Sequence, residues 1–325
     1  MATPLIETRD LKKYFKVSSG LLHAVDGVNF KIAAGETLGV VGESGCGKST
    51  LGRVILKLID PSGGSVLFDG EDITSKTKQQ MNKYRTDMQI IFQDPYSSLN
   101  PRMTVMDLIA EPMIVNGTHK TTAETQKKVR EIMKLVGLAR RLEMAYPHEL
   151  DGGRRQRIGI ARALSLNPRF IVCDEPVSAL DVSIQAQILN LLMDLQESLN
   201  LTYLFITHNL SVVKHISDHI AVMYLGKCVE FAAEDELFEN PRHPYTRALL
   251  RAIPMPDLDA KLDKSHLIKG EVTSPVNPKP GCRFASRCEY RVDACTAGDI
   301  ETTDITATHY VSCIRAQELP QYEGI

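Results

Sequence analysis

Residues 42–50 read Gly-Glu-Ser-Gly-Cys-Gly-Lys-Ser-Thr and match the phosphate-loop (P-loop) pattern G-x-x-x-x-G-K-[ST]. A continuous apolar run, Thr37–Val41, precedes this stretch, and a helix-compatible run, Leu51–Lys57, follows it. The glycines allow backbone N–H groups to converge on phosphate oxygens without clashes from Cβ atoms. The helix that follows directs its N–H groups and the positive end of its dipole to the same anion. The stretch therefore predicts a strand, a loop and a helix that bind a nucleoside triphosphate.

Two side chains of this loop carry specific expectations. Lys48 is predicted to reach the β- and γ-phosphates, and the Ser49 hydroxyl is predicted to ligate Mg²⁺. An ordinary glycine-rich turn before a helix is the alternative, and the joint presence of both glycines, the lysine and the flanking strand weighs against it. The predicted nucleotide contacts in the loop are Gly42, Glu43, Ser44, Gly45, Cys46, Gly47, Lys48, Ser49 and Thr50.

The composition of the 325-residue chain excludes several classes of protein. Lys and Arg together number 38 against 40 Asp and Glu, which gives a formal net charge of −2. This balance indicates no nucleic acid partner. No run reaches the roughly 18 apolar residues of a membrane span, and residues 1–7 lack the residue order of a secretory signal. We therefore expect a soluble, cytosolic chain, with peripheral attachment to a membrane protein left open.

Strands and helices alternate along most of the chain. Phe170–Cys173 and Tyr203–Ile206 are continuous apolar runs typical of buried parallel strands, and Ser183–Leu199 between them has helical spacing. This alternation predicts an α/β fold with a largely parallel sheet. A helix-rich stretch at about 104–149, with expected interruptions at Pro112, Gly117 and Pro147, predicts several short helices that form a helical subdomain inserted in the sheet domain.

Polar side chains stand at the ends of the predicted strands, where open α/β sheets place their chemistry. Asp174 and Glu175 follow one buried strand, and such a pair suits phosphoryl transfer to water: one carboxylate holds the metal's water shell and the other orients or deprotonates the attacking water. Gln93 is a candidate for ligating Mg²⁺ or positioning water. His208 is a candidate for contact with the γ-phosphate.

The order and spacing of these motifs over about residues 5–235 resemble an ABC-type ATPase. The resemblance identifies Gln93 as the Q-loop, Asp174 as the Walker B carboxylate that binds Mg²⁺ together with Ser49 and Gln93, and Glu175 as the catalytic glutamate. His208 corresponds to the H-loop. Ser178–Asp181 corresponds to the D-loop, in which Asp181 is a predicted nucleotide-site residue. Lys48, Gln93, Glu175 and His208 are thus the predicted catalytic residues.

The resemblance also implies a domain organisation. It predicts a P-loop ABC-type nucleotide-binding domain over residues 1–253, with an antiparallel β subdomain and a helical subdomain at about 96–165. Residues 254–325 are predicted to form a small Cys-rich C-terminal extension, which begins where the composition shifts to prolines such as Pro254 and Pro256.

Two further stretches resemble the dipeptide/oligopeptide importer branch of this family. They are Phe92–Arg102, around the Q-loop, and Asn240–Leu250. That branch implies two non-identical ATPase subunits beneath two integral membrane permease subunits, served indirectly by an extracellular peptide-binding protein. This chain most resembles the second ATPase subunit of such a pair, peripheral at the cytoplasmic face of the cell membrane. The resemblance favours Phe15 rather than Tyr14 as the aromatic residue that stacks on adenine.

The chain departs from the family at its signature. The family sequence Leu-Ser-Gly-Gly-Gln is Leu150–Arg154 here, with Asp151 in place of the serine and Arg154 in place of the glutamine. An ionised Asp151 accepts hydrogen bonds only, and a unit-charge pair at about 4 Å costs roughly 4 kcal/mol at an effective dielectric near 20. We therefore hypothesise an asymmetric pair in which the nucleotide facing this signature is held rather than hydrolysed. Compensation by Arg154 and the N–H groups of Gly152 and Gly153 is the alternative.

The C-terminal tail contains four cysteines at a spacing unlike that of common zinc modules: Cys282, Cys288, Cys295 and Cys313. In the importer branch such a segment is associated with a [4Fe–4S] cluster, so the resemblance predicts an iron–sulfur cluster here, with zinc and unliganded thiols as alternatives. His309, near the last cysteine, is expected to be exposed.

These observations predict an ATP-binding and ATP-hydrolysing subunit that uses Mg²⁺ and powers import of di- or oligopeptides. The alternatives are an ABC-type ATPase without membrane partners, an importer of another small solute such as nickel, and a regulatory module that binds ATP without hydrolysing it. Sustained heptads and a second P-loop are absent from the sequence, which disfavours the first alternative.

Overall fold

The computed structural model describes residues 3–118, 121–253, 270 and 273–322. In these residues the strands are β1 (Ile6–Val17), β2 (Gly20–Ile32), β3 (Thr37–Val41), β4 (Gly63–Phe68), β5 (Glu71–Asp72), β6 (Met88–Ile91), β7 (Phe170–Asp174), β8 (Thr202–Ile206), β9 (His219–Tyr224), β10 (Lys227–Ala233), β11 (Thr303–Thr306) and β12 (His309–Val311). The helices are α1 (Lys48–Ile55), α2 (Lys78–Arg85), α3 (Pro95–Ser98), α4 (Val105–Val115), α5 (Thr122–Leu135), α6 (Gly152–Leu164), α7 (Val182–Leu199), α8 (Leu210–Ile216), α9 (Glu234–Glu239) and α10 (Pro244–Arg251). Short 3-10 helices cover Arg140–Leu142, Pro147–Glu149 and Asp293–Thr296.

The predicted boundary between an ATPase domain and a C-terminal extension lies at the edge of the described residues. Pro254 and Pro256, which mark the composition shift, are outside them. The described residues include the four-cysteine segment that follows. They also include the P-loop, the Q-loop, the signature, the Walker B carboxylate, the D-loop and the H-loop.

One compact unit consists mainly of Ser75–Ile206, together with Ile32–Glu36 and the N-terminal residues. Its sheet contains β6, β7 and β8 in that order, and both neighbouring pairs are parallel. Every residue of β7 and β8 is buried, because these strands are apolar on both faces, as strands of a parallel sheet must be. The predicted parallel α/β arrangement is therefore present in this unit.

Several helices of this unit begin at capping boxes. Thr104 and Asp107 form a reciprocal capping box at the start of α4, and Thr121 and Glu124 form another at the start of α5. The interruption expected at Pro112 does not occur, since α4 continues through it to Val115. Pro112 stands in the last turn, so the loss of its N–H donor removes only one bond near the end of the helix.

The second compact unit consists of Ile6–Lys31, Thr37–Thr74 and the chain from Thr207 onward. It contains a four-stranded sheet in the order β2-β1-β4-β5, in which β1 and β4 as well as β4 and β5 are antiparallel. It also contains the strands β11-β12-β10-β9-β3, in which β3 and β9 are parallel and the other pairs are antiparallel. All five residues of β3, which leads into the P-loop, are buried.

The C-terminal strands β11 and β12 extend the edge of β10. The rings of Phe231 and Tyr310 stack with centroids 4.9 Å apart. His309 is fully buried, with Nε2 2.9 Å from Glu230 Oε1 and Nδ1 3.2 Å from Glu236 Oε1. Burial by itself lowers the pKa of His309, but the two carboxylates outweigh it and raise that pKa above its ordinary value. The expectation that His309 is exposed is therefore wrong.

In the described part of the chain, none of the helices has both the length and the apolar character that crossing a membrane requires.

Candidate functional site

The P-loop connects β3 to α1 in the second unit, and two of its glycines are required by close backbone contacts. Gly47 has a φ of 108°, and a Cβ atom there would lie 1.9 Å from the carbonyl oxygen of Ala24. A Cβ atom at Gly42 would lie 2.1 Å from the carbonyl oxygen of Met223. Neither position accepts a side chain without moving backbone, so the loop path that the motif predicts depends on these glycines.

Lys48 is the first residue of α1 and is almost completely buried, with 4% of its surface exposed. Its Nζ donates to the carbonyl oxygens of Gly42 at 2.7 Å and Glu43 at 3.1 Å, and it lies 3.9 Å from Cys46 Sγ. These acceptors are neutral. A buried ammonium group that is held by neutral acceptors at the start of a helix suits an anionic ligand, so the donor set fits a triphosphate.

Glu43, the first variable residue of the loop, is held by three protein groups. Its N–H donates to the Tyr245 hydroxyl at 2.9 Å, and its carbonyl oxygen accepts from Lys48. Its carboxylate accepts two hydrogen bonds from the Arg287 guanidinium, at 2.9 and 3.1 Å. Sequence reasoning missed both Tyr245 and Arg287. Tyr245 lies in a stretch that carried the family resemblance, whereas no local pattern marks Arg287.

The two aromatic residues near the end of β1 differ in their surroundings. The Tyr14 ring stacks on His23 at 4.0 Å, and its hydroxyl donates to Asp26, so protein groups occupy it. The Phe15 ring is half-buried, and the Lys13 ammonium lies 5.0 Å from its centroid. Successive residues of a strand point to opposite faces, so the rings of Tyr14 and Phe15 lie in different surroundings. This arrangement favours Phe15 over Tyr14 for stacking on a base.

His208 belongs to the second unit and follows directly on Thr207. The Thr207 N–H donates to the carbonyl oxygen of Val40 in β3 at 3.1 Å, so the chain before His208 runs beside the strand that enters the P-loop. His208 is exposed and precedes Asn209, the N-cap of α8. The predicted γ-phosphate contact therefore stands at an accessible strand end.

The predicted carboxylates are in the first unit, at the end of β7. Asp174 is buried, and Glu175 has a φ of 48°, a left-handed conformation that costs a non-glycine residue free energy. The Gln93 side-chain amide donates to Glu175 Oε2 at 2.9 Å. The structure thus brings the side chains of Gln93 and Glu175 together. Carboxylate and amide oxygens are ligand types that Mg²⁺ takes, so the side chains of Asp174 and Gln93 in this unit suit that ion. The hydroxyl of Ser49 in the P-loop is likewise an oxygen ligand of a suitable type.

The D-loop residues follow in the same unit. Ser178 Oγ donates to the carbonyl oxygen of Glu175 at 3.1 Å. Asp181 is the N-cap residue of α7 without a side-chain cap bond, and it is exposed, as is Val182 after it. The D-loop is therefore an accessible turn connected directly to the predicted catalytic glutamate.

The signature residues Asp151–Arg154 form the start of α6. Asp151 is the N-cap, and its Oδ1 accepts from the Arg154 N–H at 2.8 Å while its Oδ2 accepts from Arg154 Nη1 at 2.7 Å. Gly152 and Gly153 follow, and a Cβ atom at Gly153 would lie 2.7 Å from Ile184 Cγ2. The substituted signature thus retains a well-capped helix, in which an acid and a base neutralise each other.

The predicted iron–sulfur cluster is wrong. Among the described residues, which include the four tail cysteines, no group of three or more His, Cys, Asp or Glu side chains is arranged to hold a metal ion. The cavity that the cysteines share has a volume of about 20 Å³, near the room one water needs. Burial raises the pKa of Cys282, and it raises the pKa of Cys288 and Cys313 to about 11. All four are free thiols, the third alternative considered from the sequence.

Family models match two parts of the chain. Residues 25–178 match the ABC transporter model, and residues 229–295 match the model for the C-terminal region of oligopeptide/dipeptide transporters. The first match spans the P-loop, Gln93, the signature and the Asp174–Glu175 pair.

Curated relatives match over nearly their full length. The oligopeptide transport ATP-binding protein AppF of Bacillus subtilis (strain 168) is 49% identical over 318 residues, which cover 95% of this chain and 96% of AppF. The oligopeptide transport ATP-binding protein OppF of Escherichia coli (strain K12) is 47% identical over 325 residues, which cover 97% of each chain.

A solved structure shares the fold. The dimeric post-hydrolysis structure of the ATP-binding cassette MJ0796, bound to ADP and Pi, superposes with a TM-score of 0.65 at 29% identity, covering 70% of this chain and 98% of that chain. The resemblance predicted from the motifs is confirmed by these matches. The chain belongs to the ABC transporter family, as an ATPase of its ATP-binding cassette type.

Proposed function

We propose that this chain hydrolyses ATP to power the import of di- or oligopeptides through a membrane-embedded ABC transporter. The observation that carries the proposal is the match of residues 229–295 to the C-terminal region of oligopeptide/dipeptide transporters. AppF and OppF, which are named as oligopeptide transport ATP-binding proteins, match over the same extension. Within this proposal, residues 254–325 are the transporter-type extension and residues 96–165 are the helical subdomain.

The proposed nucleotide contacts begin with the loop of residues 42–50. Lys48 exchanges its carbonyl partners for phosphate oxygens, which are stronger acceptors for an ammonium group because they are charged. Phe15 stacks on the adenine. Ser49, Gln93 and Asp174 are the proposed Mg²⁺ ligands. When bound, Mg²⁺ neutralises charge on the β- and γ-phosphate oxygens.

Hydrolysis is assigned to residues at strand ends. Glu175 accepts the proton of the attacking water or orients that water, and Gln93 holds the carboxylate through its 2.9 Å hydrogen bond. His208 donates to the γ-phosphate.

We also propose that the chain works in an asymmetric heterodimer with a second, non-identical ATPase subunit. In this arrangement the signature of one subunit faces the nucleotide on the other subunit's P-loop. Asp151 has no hydroxyl to donate to a γ-phosphate, and both of its oxygens accept from Arg154. The nucleotide opposite this signature is therefore mainly held, and the nucleotide on this chain's own P-loop is hydrolysed.

The remaining proposed partners follow from the importer branch. Two integral membrane permease subunits bind the ATPase pair at the cytoplasmic face of the cell membrane. A peptide-binding protein on the opposite side delivers the solute and contacts this chain only indirectly. Nucleotide-driven closure and reopening of the ATPase pair shift the permeases between access states.

The test is Glu175→Gln in the assembled transporter, with ATPase activity measured as a peptide-loaded binding protein is added. We expect the substitution to remove nearly all turnover, because only one composite site hydrolyses. Glu197→Gln, an exposed position on α7, is the matched control and should leave turnover unchanged. Substantial residual activity contradicts the asymmetry, and an ATPase that does not respond to peptide contradicts the peptide assignment.

A further inference from the structure

Arg287 connects the C-terminal tail to the P-loop within the second unit. Its two Nη atoms donate to the two carboxylate oxygens of Glu43, a forked geometry that an arginine and a carboxylate form with particular strength. Nη1 also lies 3.2 Å from the Tyr224 hydroxyl. The pair joins residues 244 positions apart in the sequence.

The arginine is held almost entirely out of water. Its side chain is 7% exposed, against 26% for Glu43. The hydrogen bonds to Glu43, partly opposed by burial, raise the pKa of Arg287, so the guanidinium stays charged. Its Nε has no hydrogen-bond partner among the described residues, and an unpaired buried donor costs free energy. Among the described residues, the hydrogen bonds of this guanidinium are therefore made by its Nη atoms.

An aromatic cluster fixes the tail against the same loop. Phe284, three residues before Arg287, packs on Tyr224 and Tyr245 with ring centroids 5.3 Å apart in both cases. Tyr245 in turn accepts the Glu43 N–H. The tail therefore contacts Glu43 directly through Arg287 and indirectly through Tyr245.

A second arginine of the tail, Arg283, contacts a residue that supports the aromatic end of β1. Arg283 donates to Asp26 and to the carbonyl oxygen of Leu225. Asp26 is also the acceptor for the Tyr14 hydroxyl, and Tyr14 is adjacent to Phe15. The segment Cys282–Arg291 thus supports the phosphate-contacting loop with one arginine and the aromatic end of β1 with another.

We propose that Arg287 is a positioning residue of the nucleotide site, through which the C-terminal segment Cys282–Arg291 sets the affinity of the P-loop for ATP. Arg287 neutralises Glu43, a carboxylate that otherwise stands unpaired in a loop built for a polyanion. The proposal rests on nucleotide binding at residues 42–50 and goes beyond it by assigning control of affinity to the tail.

The electrostatic part of the proposal gives a distinctive pattern in a double-mutant cycle. Arg287→Ala leaves Glu43 charged and unpaired, and we expect it to weaken binding of a fluorescent ATP analogue to the full-length chain by about five- to thirtyfold. Glu43→Gln removes the charge, so the Glu43→Gln/Arg287→Ala double variant should recover to within about threefold of the parent. The matched control is Arg291→Ala, at an exposed arginine of the same segment, and it should bind as the parent does.

Melting temperatures of the same variants measure changes in stability, so these changes can be told apart from changes in affinity for ATP. The fork is absent in both the single and the double variant, so a purely structural role leaves the affinity of both equally low. If Arg287→Ala fails to fold, Arg287→Met takes its place, because methionine keeps a long unbranched side chain without the charge or the fork, and Glu43→Gln should again restore its affinity. In the assembled transporter the KM for ATP should rise in Arg287→Ala while kcat at saturating ATP changes by less than about twofold.

Equal affinity of Arg287→Ala and Arg291→Ala would overturn the inference, as would a double variant no tighter than Arg287→Ala. These outcomes leave the proposed function untouched, since the parent still binds ATP. A parent chain that binds no ATP overturns both, whereas the expected affinities together with peptide-independent ATPase activity support the inference and contradict peptide import.

Discussion

Two helices of this protein begin at glycine-containing motifs, and their first turns are chemically opposite. At α1 the N-cap is Gly47, which has no side chain to cap the helix, and the first turn contains no acid. The cation there, Lys48, contacts neutral acceptors. At α6 the N-cap is Asp151, whose carboxylate accepts from the backbone and the side chain of Arg154.

The contrast between the first turns of α1 and α6 shows which features allow the start of a helix to bind an external anion. Both starts have the positive end of a helix dipole. At α6 an anion from the chain itself already occupies that position, and a cation already neutralises it. At α1 no side-chain anion caps the helix, so a phosphate is a better acceptor for the Lys48 ammonium group than the carbonyl oxygens of the loop are. The same local geometry is thus suited to a ligand in one place and to internal pairing in the other.

The prediction with the greatest effect on ATP binding concerns Lys48, at the start of α1. Lys48→Ala should weaken ATP binding to the full-length chain by about a hundredfold or more, because a nearly buried cation that faces phosphate is lost. Binding of a fluorescent ATP analogue measures this. Lys16→Ala, an exposed lysine in the same unit, is the control. Retained affinity in Lys48→Ala would show that α1 is not the anion-binding helix start.

The second prediction concerns a variant in which the start of α6 carries the family's signature sequence. In a transporter that already contains Glu175→Gln, the changes Asp151→Ser and Arg154→Gln together should raise ATPase activity about tenfold or more above background, because a hydroxyl donor replaces a carboxylate at the partner's nucleotide. Arg154→Gln alone leaves the carboxylate in place and should restore nothing. No gain in the double variant would mean that Asp151 does not limit the partner's site.

The smallest expected effect concerns the cap itself. Asp151→Ala removes the N-cap of α6 and should lower the free energy of unfolding by about 1 kcal/mol, or the melting temperature by roughly 2 °C. Asp151→Ser retains a capping oxygen and should stay within a few tenths of a kcal/mol of the parent. Since the Asp151–Arg154 ion pair is about half exposed, 1 M NaCl should change little. An Asp151→Ala variant as stable as the parent would show that the cap is not needed.

Local patterns predicted the parts of the fold whose causes are local. The P-loop lies between β3 and α1 as expected, because two glycines and a lysine specify it within nine residues. The parallel strands β7 and β8 match the apolar runs. Helix α6 begins at Gly152, directly after the signature residue Asp151, which is its N-cap.

Predictions for the tail failed where they depended on distant groups. Cysteine spacing and family resemblance suggested a cluster, but among the described residues the cysteines are not arranged to hold a metal ion, and the cavity that they line has a volume of about 20 Å³. His309 was expected to be exposed, yet it lies buried between Glu230 and Glu236, which are 79 and 73 residues away. No pattern within a single stretch of sequence reports such partners.

Short residue patterns identified the family, the phosphate-binding loop and the candidate catalytic residues, since each depends on a few neighbouring residue types. Which side chains hold that loop in place depends on the tertiary structure. Glu43 is paired with Arg287 and its N–H with Tyr245 because strands and tail fold together, and the free energy of these contacts comes from burial and charge between residues that are far apart in the chain.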